Sequence, residues 1–531
     1  MKKFFTLIAL IAVSMSSFAQ WIPQASGFTA QSRGIQFMDA VTDQIVWASA
    51  YDGSGTGATI NEFTRTTDGG ETWVPGDVLG GTTYGIGNIC GISADIAYVA
   101  LYKGSGAQDN TCGVYKTSDG GITWTQLPGA LQGSASFANN VWFWNEQEGM
   151  CHGDVRDSYF EIYYTSNGGA TWTRVPAADI LNGTPLSGEG GWTSVIETVG
   201  DSTVIFGTNK GRVFISHDRA HTWMAVNTGI TPVTNGGINE IAFSDENNGL
   251  VVQTVTNVLM RRTTDGGLTW EAVTPSAGFL TNDLTSVPGS SNTYVSTGAA
   301  DGNTGISYSY DAGTTWTMFP DTELTQFLAT DFIDPVTGWA GAFNVSATEG
   351  GMYKFNGSLI MPMAPTNLTA EVVGQVFVNL AWNTPEDIGG NLLGYNVWRN
   401  GLIVEALTTD TTYVEEITVN GGYAYYVTAV YENGESQPSN TVEVEITGVG
   451  VKDAELSNLR VYPNPTSGIL NITSDNRIIS AQLVNLAGQV VVESAINANQ
   501  GVINTSELNQ GIYMLKLTSD KGVVTRTISV R

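Results

Sequence analysis

The 531-residue chain carries 22 Lys and Arg against 50 Asp and Glu, a net charge of −28 at neutral pH. So negative a surface repels a phosphate backbone, which argues against nucleic acid as a partner; it suits an external, salty medium, where screening tolerates the self-repulsion. Three Cys and three His show no metal-ligand spacing and no EF-hand loop occurs, so neither a metal nor a cofactor is expected.

Met1-Lys2-Lys3, an apolar run from Phe4 to Val13 and the small-residue end Ser17-Phe18-Ala19 read as a secretory signal peptide over 1–19. The mature chain is expected to start at Gln20. No later apolar run is long enough to span a bilayer, so no transmembrane segment is expected. Secretion permits a disulfide, but no pairing of Cys90, Cys112 and Cys151 follows from their positions.

Between residues 20 and 360 one short motif recurs six times. Its first copy is Thr66-Thr67-Asp68-Gly69-Gly70-Glu71-Thr72-Trp73. The others centre on Asp119 and Trp124, Asn167 and Trp172, Asp218 and Trp223, Asp265 and Trp270, and Asp311 and Trp316. A repeat of this length signifies a propeller or solenoid. Each copy lies between strand-like runs, which makes it a hairpin turn. The Asp carboxylate accepts backbone N–H groups further along, and the glycines supply left-handed backbone. The Trp buries its ring beside the turn. These twelve positions are therefore read as structural. The fourth copy, Ser216-His217-Asp218-Arg219-Ala220-His221-Thr222-Trp223, lacks the glycines and is expected to be the most distorted.

Trp21 lies one period before Trp73, and its context Trp21-Ile22-Pro23 matches Trp73-Val74-Pro75. Three strand-like runs after the sixth copy, at 331–333, 338–341 and 352–355, lack a fourth. Trp21 supplies it. The expected fold is all-β: a seven-bladed β-propeller over 20–360, closed across its termini, because closure removes open sheet edges.

The motif resembles the Asp-box, or BNR, repeat shared by sialidases, xyloglucanase-type glycosidases, sortilin-type receptors and photosystem-assembly factors. The resemblance implies that the boxes share one face and that ligands bind the opposite face, near the central channel. Candidate ligand-binding residues there are Tyr51 and Asp52 in blade one, His152, Asp154 and Arg156 in blade three, and Arg212 in blade four. A sialidase-like site needs three arginines, for which Arg33, Arg156 and Arg212 are available; yet the Arg-Ile-Pro start of sialidases is replaced by Trp21-Ile22-Pro23. A xyloglucanase-like site needs opposed carboxylates, and its family pairs two propellers where one fits here. No catalytic residue is assigned.

Met361-Pro362-Met363-Ala364-Pro365 marks a boundary. Residues 361–447, with Leu380-Ala381-Trp382, Tyr395-Asn396-Val397-Trp398 and Tyr425-Tyr426-Val427, resemble a fibronectin type III domain, a sandwich anchored by a buried Trp. A linker, 448–456, follows. Residues 457–531 carry Val461-Tyr462-Pro463-Asn464-Pro465, Asn485-Leu486-Ala487-Gly488 and Leu508-Asn509-Gln510-Gly511-Ile512-Tyr513. They resemble the type A C-terminal sorting domain of the Bacteroidetes type IX secretion system. That implies the secretion machinery as a partner and export to the medium or the cell surface. The resulting expectation is a secreted binding propeller for a glycan or protein ligand, with a glycoside hydrolase as the alternative.

Overall fold

A computed structural model of the chain describes residues 20–374, 376–385, 392–431, 434–447 and 456–531. The expected leader and most of the expected linker lie outside the described residues. The chain forms two compact units, the main division falling between Met363 and Ala364.

The described residues of the first unit form seven sheets built on antiparallel four-stranded meanders, six from four consecutive strands and the seventh from three consecutive strands plus the N-terminal one. Their inner strands are Arg33–Ala40, Tyr84–Gly91, Ala138–Phe143, Gly191–Val199, Glu240–Phe243, Asp283–Ser286 and Phe327–Asp334. Each packs against the inner strand of the next blade, and the seventh packs against the first, so the sheets form a ring. In blade four a fifth strand, Ile180–Leu181, pairs in parallel with the outer strand Trp223–Asn227.

The ring closes with the N-terminal strand Trp21–Ala25, which pairs antiparallel with Glu349–Phe355 and sets Trp21 opposite Phe355. Trp21 is 3% exposed. Its ring centre lies 5.1–6.5 Å from those of Phe319, Phe327, Phe332 and Phe355. An apolar ring so enclosed sets the register, because a one-residue slip would turn it to solvent.

The six boxes use one hydrogen-bond set. In the first, the Thr66 hydroxyl donates to Asp68 Oδ1 at 2.7 Å and accepts from Gly70 N–H at 2.8 Å. Asp68 in turn accepts the Thr72 N–H at 2.9 Å. Box four is not distorted, contrary to the expectation above. Ser216, Asp218, Ala220 and Thr222 repeat the same bonds at 2.9 Å. Arg219 and Ala220 take φ of +57° and +69° to do so, where boxes one, two, three and five have two glycines and box six has Ala312, at φ of +53°, and Gly313. The local bonds and the burial of Ala220 outweigh a left-handed cost of roughly 1–2 kcal/mol per residue. The three cysteines are buried and free.

In the second unit, Thr366–Val373, Phe377–Asn383 and Thr412–Glu416 form one sheet. Leu392–Arg399 and Gly421–Tyr431 lie at the centre of another. Trp382 and Tyr395, both buried, meet edge to face at 5.5 Å, Trp382 being the buried Trp expected of the fibronectin type III resemblance. The C-terminal sheet holds Arg460–Tyr462, Ile469–Val484, Val490–Asn504, Gly511–Ser519 and Gly522–Val530. Its core includes Leu470, Leu483, Leu515 and Ile528. The exposed Pro463-Asn464-Pro465 turn is pinned to the last strand, since Asn464 donates to Thr527 O at 2.8 Å and accepts from Ser529 N–H at 2.9 Å.

Trp21→Ala should destabilise the ring by about 3–5 kcal/mol, the cost of deleting a large buried aromatic. Urea unfolding followed by tryptophan fluorescence measures it; a loss below about 1 kcal/mol would show that the strand is dispensable for closure.

Candidate functional site

Strand direction fixes the two faces. The box turn of blade one meets the turn between its first two strands, through Gly69 N–H on Gln44 O at 3.0 Å. Arg33 and Asp52, paired across the first two strands, therefore mark the opposite face.

A cavity of about 1460 Å³ occupies the ring centre and is lined by residues from every blade. Five acidic side chains from inner strands line it: Asp39, Glu197, Glu240, Asp283 and Asp331. Tyr51 and Asp52 line its mouth on the face away from the boxes. Tyr51 is 46% exposed and meets Phe343 edge-on at 6.1 Å. Arg219 is the single Lys or Arg among the lining residues. It belongs to box four, at the other end, where it pairs with Glu148 and donates to Asp201 O.

The inner-strand polar groups latch each blade to the next. Asp39 accepts Gly91 N–H at 2.6 Å. Asn88 accepts Val141 N–H and donates to Val141 O, both at 2.8 Å. Asn140 accepts Ser194 N–H at 2.9 Å, and Glu197 accepts Phe243 N–H at 3.0 Å. Asp283 accepts Thr330 N–H at 2.6 Å, and Asp331 accepts Ala40 N–H at 2.7 Å. Six of the seven seams carry such a bond; the seam from blade five to blade six does not. Glu240 stands there, its carboxyl group without a partner among the described residues. At Ser194 the inner strand of blade four bulges, with φ of +64°, and its hydroxyl reaches Gly87 O of blade two at 2.7 Å.

Burial raises the proton affinity of these carboxyls, because a low-dielectric wall disfavours their charged form. Asp39 is pushed up to about 7, despite the opposing Gly91 N–H. Asp283 rises to about 6 and Glu197 to about 8. Asp331 and Glu240 go well above the usual range, through burial first and carboxylate neighbours second.

The six candidates from the sequence do not converge. Tyr51 and Asp52 face the cavity, but Asp52 also accepts from Arg33, Ser54, Thr56 and Ala58 and so braces its own loop. His152 is fully buried between Asn140 and the Phe206 ring, and burial lowers it to about 3, so it is a neutral core residue. Asp154 accepts from Asn139 and Gly191 N–H, both at 3.0 Å. Arg156 is held by Glu161, and Arg212 by Glu189 and the carbonyls of Asn182 and Thr184. Arg33, Arg156 and Arg212 each pair with a carboxylate and none lines the cavity, so they form no three-arginine grip.

The acidic inner-strand residues that line it, Asp39, Glu197, Glu240, Asp283 and Asp331, were missed. Their signal was an acidic residue in or beside the apolar run of the first strand in five of the blades, as in Met38-Asp39-Ala40, Glu240-Ile241 and Asp331-Phe332. Aligning the first strands of the repeats, rather than the boxes, would have shown it.

Residues 460–531 match the family model for the secretion system C-terminal sorting domain. Residues 87–238 match that for the photosynthesis system II assembly factor YCF48. Among curated proteins, chitinase D of Niallia circulans is 27% identical over 199 residues, 33% of this chain and 37% of that protein. Chitinase Chi52 of Paenibacillus xylanexedens is 34% identical over 80 residues, 15% of each. The chain thus spans well under half the length of these relatives. Among solved structures, YCF48 from Cyanidioschyzon merolae is similar at a TM-score of 0.44 and 17% identity, over 64% of this chain and 99% of that one. The chain is an exported β-propeller protein: its sorting domain directs it through the type IX system to the cell surface or beyond. Among the described residues no helix is long and apolar enough to cross a membrane.

The raised carboxyls set a pH dependence. A group whose folded affinity for protons exceeds its unfolded one stabilises the fold while protonated, and that stability is lost as pH rises between the two values. Thermal stability should therefore fall between about pH 4 and about pH 8. Asp39→Asn with Asp283→Asn keeps an acceptor at both latches and should flatten the profile. Equal slopes by scanning calorimetry in the wild type and the double variant would contradict this.

Proposed function

We propose that the propeller is the ligand-binding part of this exported protein, taking a macromolecular ligand at the cavity mouth on the face away from the boxes, without catalysis. The carrying observation is a closed ring whose centre is an open, polar cavity, while polar clusters elsewhere on blades three and four are tied up internally. Tyr51 and Asp52 belong to this mouth. Asp154, Arg156 and Arg212 brace the loops of their blades, and His152 packs the core. The chitinase relatives leave a hydrolase as the second reading, since two carboxyls of the cavity, Glu240 and Asp283, lie near enough to raise proton affinity.

The test uses the secreted protein. Incubation with fluorogenic chitooligosaccharide and β-glucan conjugates should release no fluorophore, and turnover lost in Glu240→Gln would replace binding by hydrolysis. Tyr51→Ala should weaken retention of a ligand from the extracellular fraction by about tenfold or more, as expected for an exposed aromatic anchor. Arg212→Ala, remote from the cavity, should lower stability and leave retention per folded molecule unchanged. Deleting residues 460–531 should hold the protein inside the cell envelope, read by immunoblot of medium and cell fractions.

A further inference from the structure

Glu240 is the exception in a repeated design. Six seams use an inner-strand Asp, Asn or Glu to accept a backbone N–H of the following blade. Glu240, the first residue of its strand, pairs across to Val252 and lies at the end away from the boxes. It lines the cavity, and among the described residues its carboxyl group has no hydrogen-bond or ion-pair partner. A latch that holds nothing within the chain is free to hold something from outside it.

We propose that Glu240 receives a cationic side chain, a lysine or arginine from a protein ligand that enters through the Tyr51 mouth. The inference rests on the cavity being the binding site.

The surroundings define that chemistry. The carboxyl group that acts on Glu240 from a flanking inner strand is that of Asp283 in blade six; Glu197 of blade four lines the same cavity nearer the box face, where it accepts from Phe243. Its own pairing partner, Gly249–Gln253, contributes no charged residue. Arg219, the single basic residue lining the cavity, sits at the far end and is engaged. Among the described residues the cavity supplies Glu240 no counter-charge, and burial beside Asp283 favours its protonated form. An ammonium or guanidinium offers what is missing: fixed positive charge, several N–H donors and no acceptor. A neutral sugar hydroxyl offers no charge. Tyr51 and Phe343 meet edge-on at 63°, so they form no flat platform for a sugar ring. A flexible, narrow Lys or Arg side chain fits entry past them.

Binding then has a proton balance. The ligand arrives as R–NH3⁺, Glu240 as its carboxylic acid; the pair that forms is R–NH3⁺ against carboxylate, and one proton leaves to solvent. No covalent bond changes.

The experiment is titration calorimetry of the secreted protein with N-acetyl-trilysine amide, in two buffers of different ionisation enthalpy. Saturable binding with net proton release is expected, tightening as pH rises. The same peptide with all three side chains acetylated should not bind. Glu240→Gln should weaken binding by about tenfold or more and abolish proton release, since it removes the charge partner but keeps the shape. Glu271→Gln, on an outer strand, should change neither. Melting curves of Glu240→Gln establish that the variant is folded.

No trilysine binding, or equal binding to Glu240→Gln, overturns the proposal. A tetramer of glucosamine that binds more tightly than trilysine overturns the protein partner. If Tyr51→Ala loses the native ligand while Glu240→Gln keeps it, the cavity reading stands and this inference alone fails.

Discussion

Everything in the first unit hangs on one pairing: the strand Trp21–Ala25 laid against Glu349–Phe355. Without it blade seven would expose an unpaired edge and four aromatic side chains would lose their common neighbour. With it the ring is closed, and closure turns seven marginal four-stranded sheets into one object. The centre of that object is a space that no single blade defines. The cavity is therefore a consequence of a contact some 330 residues apart in sequence.

The latches serve two ends. Each fixes the tilt of one blade against the next through a backbone N–H, and each brings a polar group to the cavity wall. Asn does this without charge at two seams; Asp or Glu does it at four, under burial that raises their proton affinity. The acidic wall is thus partly a structural device. The boxes are the opposite case. Their carboxylates, such as Asp119, are held below the usual range by hydroxyl and backbone donors, and stabilise turns at the far face. Acidity on this chain means different things at the two ends of one blade.

Much of the fold was legible in the residues. The box spacing, Trp21 one period early and the unfinished run at 352–355 together specified the ring. Box four shows where local rules overreach. Arg219 and Ala220 adopt the backbone expected of glycine because the Ser216 and Asp218 bonds and the packing of Ala220 hold them there. The site was less legible. His152, Asp154 and Arg156 form an inviting polar run, yet the strand's register shifts after His152, which packs in the core while Arg156 pairs with Glu161. Polarity along a sequence does not tell which side of a strand a residue takes, nor which partner waits there.

The sequence by itself determined the scaffold, the export route and the roles of the box residues, because each depends on contacts within a few residues or on a periodicity. Only the tertiary structure decided which side chains face the central cavity and which are already taken. Asp39, Glu197, Asp283 and Asp331 find their donors on neighbouring blades, 46 to 291 residues away, and Glu240 finds none among the described residues. Occupancy of a hydrogen-bonding group depends on what the ring brings beside it, and that is set by closure rather than by local sequence.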